Sequence, residues 1–365
     1  MPTVAVLFQA IDPPIINGVR KPRKPGGYQD SGADIAYTLR STGVNIITSK
    51  PNPSPDTHEG WCFPDSEEGI LTAISQGATH LWANTIVFSS HPLQTASCLD
   101  DHASTVRVIG QPPGLVEKFD DKLYLNDKLR SLGGSFTLPK SWEVKATDHP
   151  PLDLDSFIQT NITDYPIVGK PVRGRGSHGV KVCHDPAELK DHIESLFDES
   201  PVVLLEEFLA GEEATITVMP PSPGSGRLGY WSMPPVTRFN HDQGIAPYNG
   251  TIAVTANSRV VSEEEMRDPA YEEVMRQCEH VACLIKATAP IRIDVRRFGP
   301  GSGFAIFDVN MKPNMTGPGR PGREDQASLT AMAATACGWD YSGLLQEILR
   351  GASTLETFRQ YRSPF

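Results

Sequence analysis

No apolar run in the chain approaches the ~20 residues needed to cross a bilayer. The opening M-P-T-V-A-V-L-F-Q-A carries neither a basic n-region nor a small-residue cleavage site, and it reads as the first strand of a cytoplasmic protein with no membrane partner. Cysteine is scarce: six in 365 residues, scattered and without a C-x-x-C pair. That excludes a disulfide framework and a thiolate zinc site, and the thiols are expected to be reduced. A dense block of lysine and arginine is also missing and the formal charge is -11, so the average surface field repels phosphate backbones and nucleic acid is excluded as a general partner. What is present is ordinary globular material, 39% hydrophobic and 21% charged, sufficient for two or three units at about 100–200 residues each. Glycine and proline are plentiful and gather in candidate loops, where function tends to sit.

Over the first hundred residues short apolar runs (4–8, 44–47, 80–83) alternate with helical patterns (31–39, 64–75). That alternation predicts a parallel α/β sheet whose ligands lie beyond the carboxyl ends of its strands. A shift in composition at Pro112-Pro113-Gly114 precedes a polar helix over 120–132, so a first domain is expected at 1–116. Beyond it the pattern predicts strands at 167–171, 202–209, 214–219, 291–298 and 304–311, and helices at 186–197, 263–287, 326–337 and 341–349. The segment 220–250, rich in Pro, Gly and Asn, reads as one long mobile loop, and long loops inside domains often bind or cover ligands.

Two β-rich runs, I-R-I-D-V-R-R-F (291–298) and F-A-I-F-D-V-N-M (304–311), flank the turn G-P-G-S-G. With the turn centred on Gly301, Asp294 faces Asp308 and Arg292 faces Asn310. The period of two then places Ile291, Ile293, Val295, Ala305, Phe307 and Val309 on one buried face and the four polar residues on the other. Directly opposed carboxylates repel, so a cation belongs between them. An oxygen-only set without His or Cys suits Mg²⁺, which takes one or two carboxylates and completes its shell with water and phosphate oxygens. The same face is equally satisfied as a solvated one, its carboxylates paired with Arg292 and Arg296.

Upstream, I-V-G-K-P (167–171) is a short strand carrying Lys170, followed by the glycine-rich V-R-G-R-G-S-H-G-V. Glycines let backbone N–H groups approach an anion, and a lysine meets phosphate as a point charge. It is no Walker loop, because G-K-[ST] is missing. Between loop and hairpin, V-V-L-L-E-E-F-L-A-G-E-E (202–213) runs from an apolar strand into acids. Such a segment can pack an adenine and accept ribose hydroxyls. Together these features suggest a nucleoside triphosphate with magnesium.

The ordered set Asp121-Lys122, V-G-K-P with R-G-R-G-S-H-G-V, L-E-E-F-L-A-G-E-E, I-R-I-D-V and F-D-V-N-M-K-P-N-M-T resembles the ATP-grasp superfamily, and within it carboxylate-amine ligases of the D-alanine-D-alanine ligase type. The resemblance covers about 120–349. It implies α/β architecture: an N-terminal parallel α/β domain, a small central domain at 117–205 and a C-terminal domain with an antiparallel sheet at 206–365. It implies ATP and Mg²⁺, or Mn²⁺ in its place, as cofactors, small-molecule carboxylate and amine substrates as partners, and a homodimer. By the same resemblance Lys122 and Lys170 contact phosphates, and Gly176 and Ser177 lie in the phosphate loop. Glu206 with the backbone of Glu207, Phe208 and Leu209 holds adenine, and Glu213 takes ribose. Asp294, Asp308 and Asn310 ligate the metal, and Arg292 stabilises the reacting carbonyl.

The departures fall where substrates bind. Asp308 stands where this branch carries Glu. The N-terminal G-G-x-S-x-E signature is reduced to G-G-Y-Q-D-S-G (26–32), with Asp30 as the candidate substitute for its acid. Gly319-Arg320, with Arg323 behind, replaces the small pair that meets the acceptor carboxylate. Guanidinium groups there suit a carboxylate-bearing acceptor, or else are exposed helix-cap charges. In the segment 220–250, read as a lid, Arg238 and His241 are the candidate substrate contacts, or solvated loop residues. The expected activity is an ATP-dependent ligase forming an amide bond through an acyl phosphate, on substrates not restricted to D-alanine. Two alternatives stand beside it: a hydroxyl or thiol acceptor, and a non-catalytic ATP-binding regulator with the same fold.

Overall fold

The computed structural model describes residues 2–146, 153–247 and 254–365. The early alternation of strands and helices forms a sheet ordered Ser353–Thr354, Arg107–Ile109, His80–Asn84, Thr3–Phe8, Asn45–Ile47, parallel except at its Ser353–Thr354 edge. Thr3–Phe8 takes a central place because Val4 to Leu7 are all fully buried, as a strand covered on both faces requires. Helix Gln29–Ser41 lies against it through Ala33, Ile35, Ala36 and Leu39. The helix expected from Pro64 begins instead at Glu67: Phe63–Pro64 pairs with the end of the first strand, and Ser66 caps the helix by accepting the Gly69 N–H.

A second, antiparallel sheet is ordered Lys181–Cys183, Ile167–Pro171, Val202–Glu207, Ser141–Lys145. Helices Leu154–Asn161 and Pro186–Phe197 share its core through Ile158, Leu189, Ile193 and Leu196. The third sheet, ordered Ser258–Val260, Val236–Arg238, Glu213–Met219, Ile291–Arg297, Phe304–Asn310, is antiparallel throughout. Its core takes in Leu115, Phe119, Leu125 and Leu129 from upstream helices, while Leu355 and Phe358 near the C-terminus pack into the core of the first sheet.

Two expectations are corrected here. The pattern over 263–287 is a 3-10 turn at Glu265–Arg267 and then the helix Pro269–Leu284, because Pro269 has no N–H to continue a preceding helix and Asp268 supplies the cap to Ala270. The segment 220–250 is not one irregular loop: Trp231–Ser232 and Val236–Arg238 are strands on the third sheet, and Met233 and Val236 are buried. Its β-branched Val236 and Thr237 favour pairing, and Pro234 and Pro235, which cannot donate to a ladder, stop just short of the strand. Residues 248–250 of that segment lie outside the described residues. No described helix is long and apolar enough to cross a membrane.

Candidate active site

The hairpin Ile291–Arg297 with Phe304–Asn310 pairs Arg292 with Asn310 and Asp294 with Asp308, as the turn at Gly301 predicts. Nearer the turn the register slips by one between Asp294 and Val295, so Ile306, not Phe307, faces Val295 in the core. This corrects the expected buried face. A bulge sets two residues against one, and here it leaves Phe307 with Asp308 on the polar side. The Phe307 ring centroid accordingly lies 5.7 Å from Lys170 Nζ.

Asp294 and Asp308 share a face but not a partner. Asp294 receives Thr215 Oγ1 at 2.7 Å, the Arg292 fork at 3.2 Å on each oxygen, and Asn310 Nδ2 at 3.2 Å. Those four donors occupy about all the lone-pair directions a carboxylate has. Asp308 is open by comparison. Its buried Oδ1 accepts no aligned hydrogen bond, and Lys122 Nζ lies 3.0 Å away as an ion pair. Such an oxygen fits a hard divalent cation; Asp294 fits the same ion once Arg292 and Asn310 turn aside. Among the described residues no group of three or more His, Cys, Asp or Glu could hold a metal. Two carboxylates and an amide are an oxygen-only set of the kind Mg²⁺ accepts when water and phosphate oxygens complete its shell.

Helix Lys122–Ser131 meets this face with residues one turn apart. Its N-cap Asp121 accepts the Tyr124 N–H, Lys122 reaches Asp308, and Asn126, four residues on and so on the same side, donates to Glu206 at 3.1 Å. Lys170, opposite Leu204 in the ladder, is the diagonal neighbour of Glu206 and pairs with it at 2.6 Å, also donating to the Phe307 carbonyl at 3.2 Å. Burial alone would lower the Lys122 pKa, but Asp308, Asp120 and Glu206 outweigh it and hold the ammonium above its ordinary value. Burial would raise Asp308, and Lys122, Lys170 and Lys21 hold it below the usual carboxylate range. In the glycine-rich loop Gly176 and Ser177 both take left-handed backbone (φ 57° and 61°). Lys21 fastens this loop from the N-terminal side, bonding Asp120 at 2.8 Å and the Gly174 carbonyl at 3.0 Å.

Glu213, Arg238 and His241 come together. Glu213 faces Arg238 across the ladder, and its carboxylate bonds His241 Nε2 at 2.8 Å with Arg296 at 3.6 Å. Arg296 also lies 4.9 Å from the Phe208 ring centroid. Glu207 accepts the Lys140 N–H at 3.3 Å, and Leu209 is buried. Arg238 and His241 are thus not solvated loop residues.

Asp30, Arg320 and Arg323 also converge, though on one another. Arg320 Nε meets Asp34 Oδ1 at 2.9 Å, Arg323 clasps both Asp34 oxygens, and both guanidinium groups reach Asp30. Asp34 is fully buried and Arg320 is 4% exposed. The reading of Arg320 and Arg323 as exposed helix-cap charges is corrected. Asp34 is the partner a linear reading missed, because it lies 286 residues away from Arg320.

A last cluster carried no signal in the sequence. Lys312 Nζ, Lys24 Nζ and Arg175 Cζ lie 3.5, 4.7 and 5.1 Å from the Tyr28 ring centroid. Gly27 sets that ring in place: its φ is +57° and a Cβ there would meet the Gln9 carbonyl at 2.1 Å. Lys312 also bonds Asn84 Oδ1 at 2.9 Å, at the carboxyl end of a parallel strand. Burial and the neighbouring Arg175 push Lys24 down to about 8. Between that value and its unfolded one of 10.5 the unfolded chain binds more protons, so stability should rise with pH across this window. Urea unfolding between pH 7 and 10.5 should show a smaller rise in Lys24→Met than in the parent; equal curves would place Lys24 in solvent.

A family model described as D-ala D-ala ligase C-terminus matches residues 150–350. The D-alanine-D-alanine ligase of Syntrophotalea carbinolica is 26% identical over 195 residues, covering 53% of this chain and 56% of that protein. That of Pediococcus pentosaceus is 26% identical over 192 residues, covering 53% and 49%. The chain spans about half the length of the curated relatives it matches. Among solved structures, the D-alanine-D-alanine ligase of Bacillus anthracis complexed with ATP aligns with a TM-score of 0.66 at 18% identity over 99% of both chains. VanG D-Ala:D-Ser ligase of Enterococcus faecalis aligns at 0.62 and 15% identity over 95% of this chain and 98% of that one. At such identities the likeness is one of fold.

Proposed function

The chain belongs to the D-ala D-ala ligase C-terminus family, and on that premise we propose that it is an ATP-dependent ligase joining a carboxylic acid to an amine through an acyl phosphate. One observation carries the reading: a partly buried face holds Arg292, Asp294, Asp308 and Asn310 on one hairpin and meets Lys122 from a helix and Lys170 from a second sheet. Asp308 Oδ1 is ion-paired with Lys122 yet accepts no aligned hydrogen bond, which leaves it able to take a cation.

In this reading adenine lies along Glu206 to Leu209 and ribose at Glu213, while Lys122, Lys170 and the N–H groups of Gly176 and Ser177 hold the phosphates. Asp294, Asp308 and Asn310 hold Mg²⁺ or Mn²⁺, which when bound offsets charge on the phosphate oxygens. An oxygen of the donor carboxylate forms the bond to the γ-phosphorus and ADP leaves with the bridging oxygen. The amine nitrogen then attacks the acyl carbon, inorganic phosphate departs with the C–O electron pair, and the nitrogen loses a proton. Arg292, turned from Asp294, donates to the oxyanion of that tetrahedral step. Residues 239–247, which follow the strand Val236–Arg238, keep water from the acyl phosphate. The expected boundary at 205/206 falls inside the strand Val202–Glu207, so we place the units at 1–116, 117–207 and 208–365, with Ser353–Thr354 returning to the first sheet. The substrates are amino acids, with D-alanine not assumed, since Asp308 and Gly319-Arg320 depart from the ligase pattern.

Phosphate release tests the proposal. Purified protein with ATP and Mg²⁺, screened against pools of amino and organic acids, should release phosphate only when both a donor and an acceptor are present. ATP binding without release under any pairing would favour the regulatory protein.

A further inference from the structure

We propose that Lys24, Arg175 and Lys312, gathered around the Tyr28 ring, seat a second anionic group on the donor acid, so that the donor carries two anionic groups, as an acidic or phosphorylated amino acid does. The inference rests on the ligase reading and narrows its substrate.

Three cations from three separate parts of the chain lie within 5.1 Å of one ring centroid. Like charges so placed repel, and an aromatic face offsets only part of that. No ion pair to a carboxylate is made by any of the three among the described residues. The acid nearest in sequence, Asp30, is engaged by Arg320 and Arg323. Lys312 has one neutral partner, the Asn84 side-chain oxygen. A bound anion would complete a cluster of basic side chains that makes no ion pair of its own, and would favour their charged forms.

The cluster borders the phosphate candidates: Lys170 and Lys122 meet Phe307 and Asp308, and Lys312 follows two residues past Asn310. Arg175 closes the cluster from the loop that also carries Gly176 and Ser177, and Lys24 from the loop before the first helix. A donor whose reacting carboxylate meets the phosphoryl group at Asn310 would therefore extend its other end onto these cations.

Calorimetric titration of the whole protein with Mg²⁺ and ADP present tests this with named probes: D- and L-glutamate, D- and L-aspartate and O-phosphoserine, against D- and L-alanine. At least one acidic probe should bind about tenfold or more tighter than either alanine, and Lys312→Met should erase that margin. Carboxylate against phosphate is decided by which acidic probe binds tighter. The proposal is overturned if either alanine matches the best acidic probe, if Lys312→Met keeps the margin, or if that variant weakens ATP itself by a comparable factor, since the cations then belong to the triphosphate. Turnover of neutral amino acids without a preference for acidic ones would sink this inference and leave the ligase standing. Tight acidic binding lost in Lys312→Met, with no phosphate release from any pair, would uphold the site and sink the ligase.

Discussion

Asp308→Asn is expected to lower kcat by about a hundredfold to a thousandfold, the range seen when one preorganised electrostatic contact to a transferring group is removed. The substitution keeps size and shape and takes away one negative charge at the one carboxylate of the hairpin whose buried oxygen lacks an aligned donor. It should leave the fold intact, because Lys122 retains the field of Asp120 and Glu206. Circular dichroism and the urea midpoint check the second point, and phosphate release at saturating ATP checks the first. Raising the Mg²⁺ concentration should recover part of the rate, and Asp308→Glu, which lengthens the ligand without changing its charge, should recover most of it. Unchanged turnover in Asp308→Asn would remove this residue from the metal site and return the hairpin to a plain ion-paired face. The corresponding change at Asp294 is a weaker test. That carboxylate also anchors Thr215, Arg292 and Asn310, so a lost rate there mixes metal binding with the position of Arg292.

Lys170→Met should raise the Kd for ATP by about ten- to a hundredfold, equivalent to one or two decades of charge-assisted contact. It should also cost stability, on the order of 3–5 kcal/mol, since it leaves the buried Glu206 carboxylate with Asn126 as its remaining hydrogen-bond donor. The two effects separate in a double-mutant cycle with Glu206→Gln. The double variant should regain much of the lost stability, because no unpaired buried charge remains, and nucleotide affinity should stay as weak relative to Glu206→Gln as Lys170→Met is relative to the parent. An affinity that follows stability back to the starting value would make the lysine a structural partner of Glu206 and nothing more.

Much of the site was legible because its parts are local in sequence. A hairpin with a glycine turn has a register that alternation alone sets, and Asp294 does stand opposite Asp308. The strand Ile167–Pro171 delivers Lys170, and Asp121 caps the helix that delivers Lys122. The bulge was not legible: Phe304 to Phe307 are all apolar and fit either face, and only pairing with the opposite strand shows that Phe307 has joined the polar side. Nor were the fates of Arg320 and Arg323, whose forks suit a carboxylate and found two belonging to this chain.

The amino-acid order by itself determined the class of the longer, strongly patterned elements, the opposition of the two aspartates and the presence of a phosphate-suited loop, because a period of two, a capping side chain and a glycine turn act over a few residues. Which charges neutralise each other was decided only in three dimensions. Asp34 meets Arg320, Lys122 meets Asp308, and Lys24, Arg175 and Lys312 crowd one ring across most of the chain's length. Coulomb forces depend on distance in space, and packing of the three sheets, which no local pattern records, sets those distances.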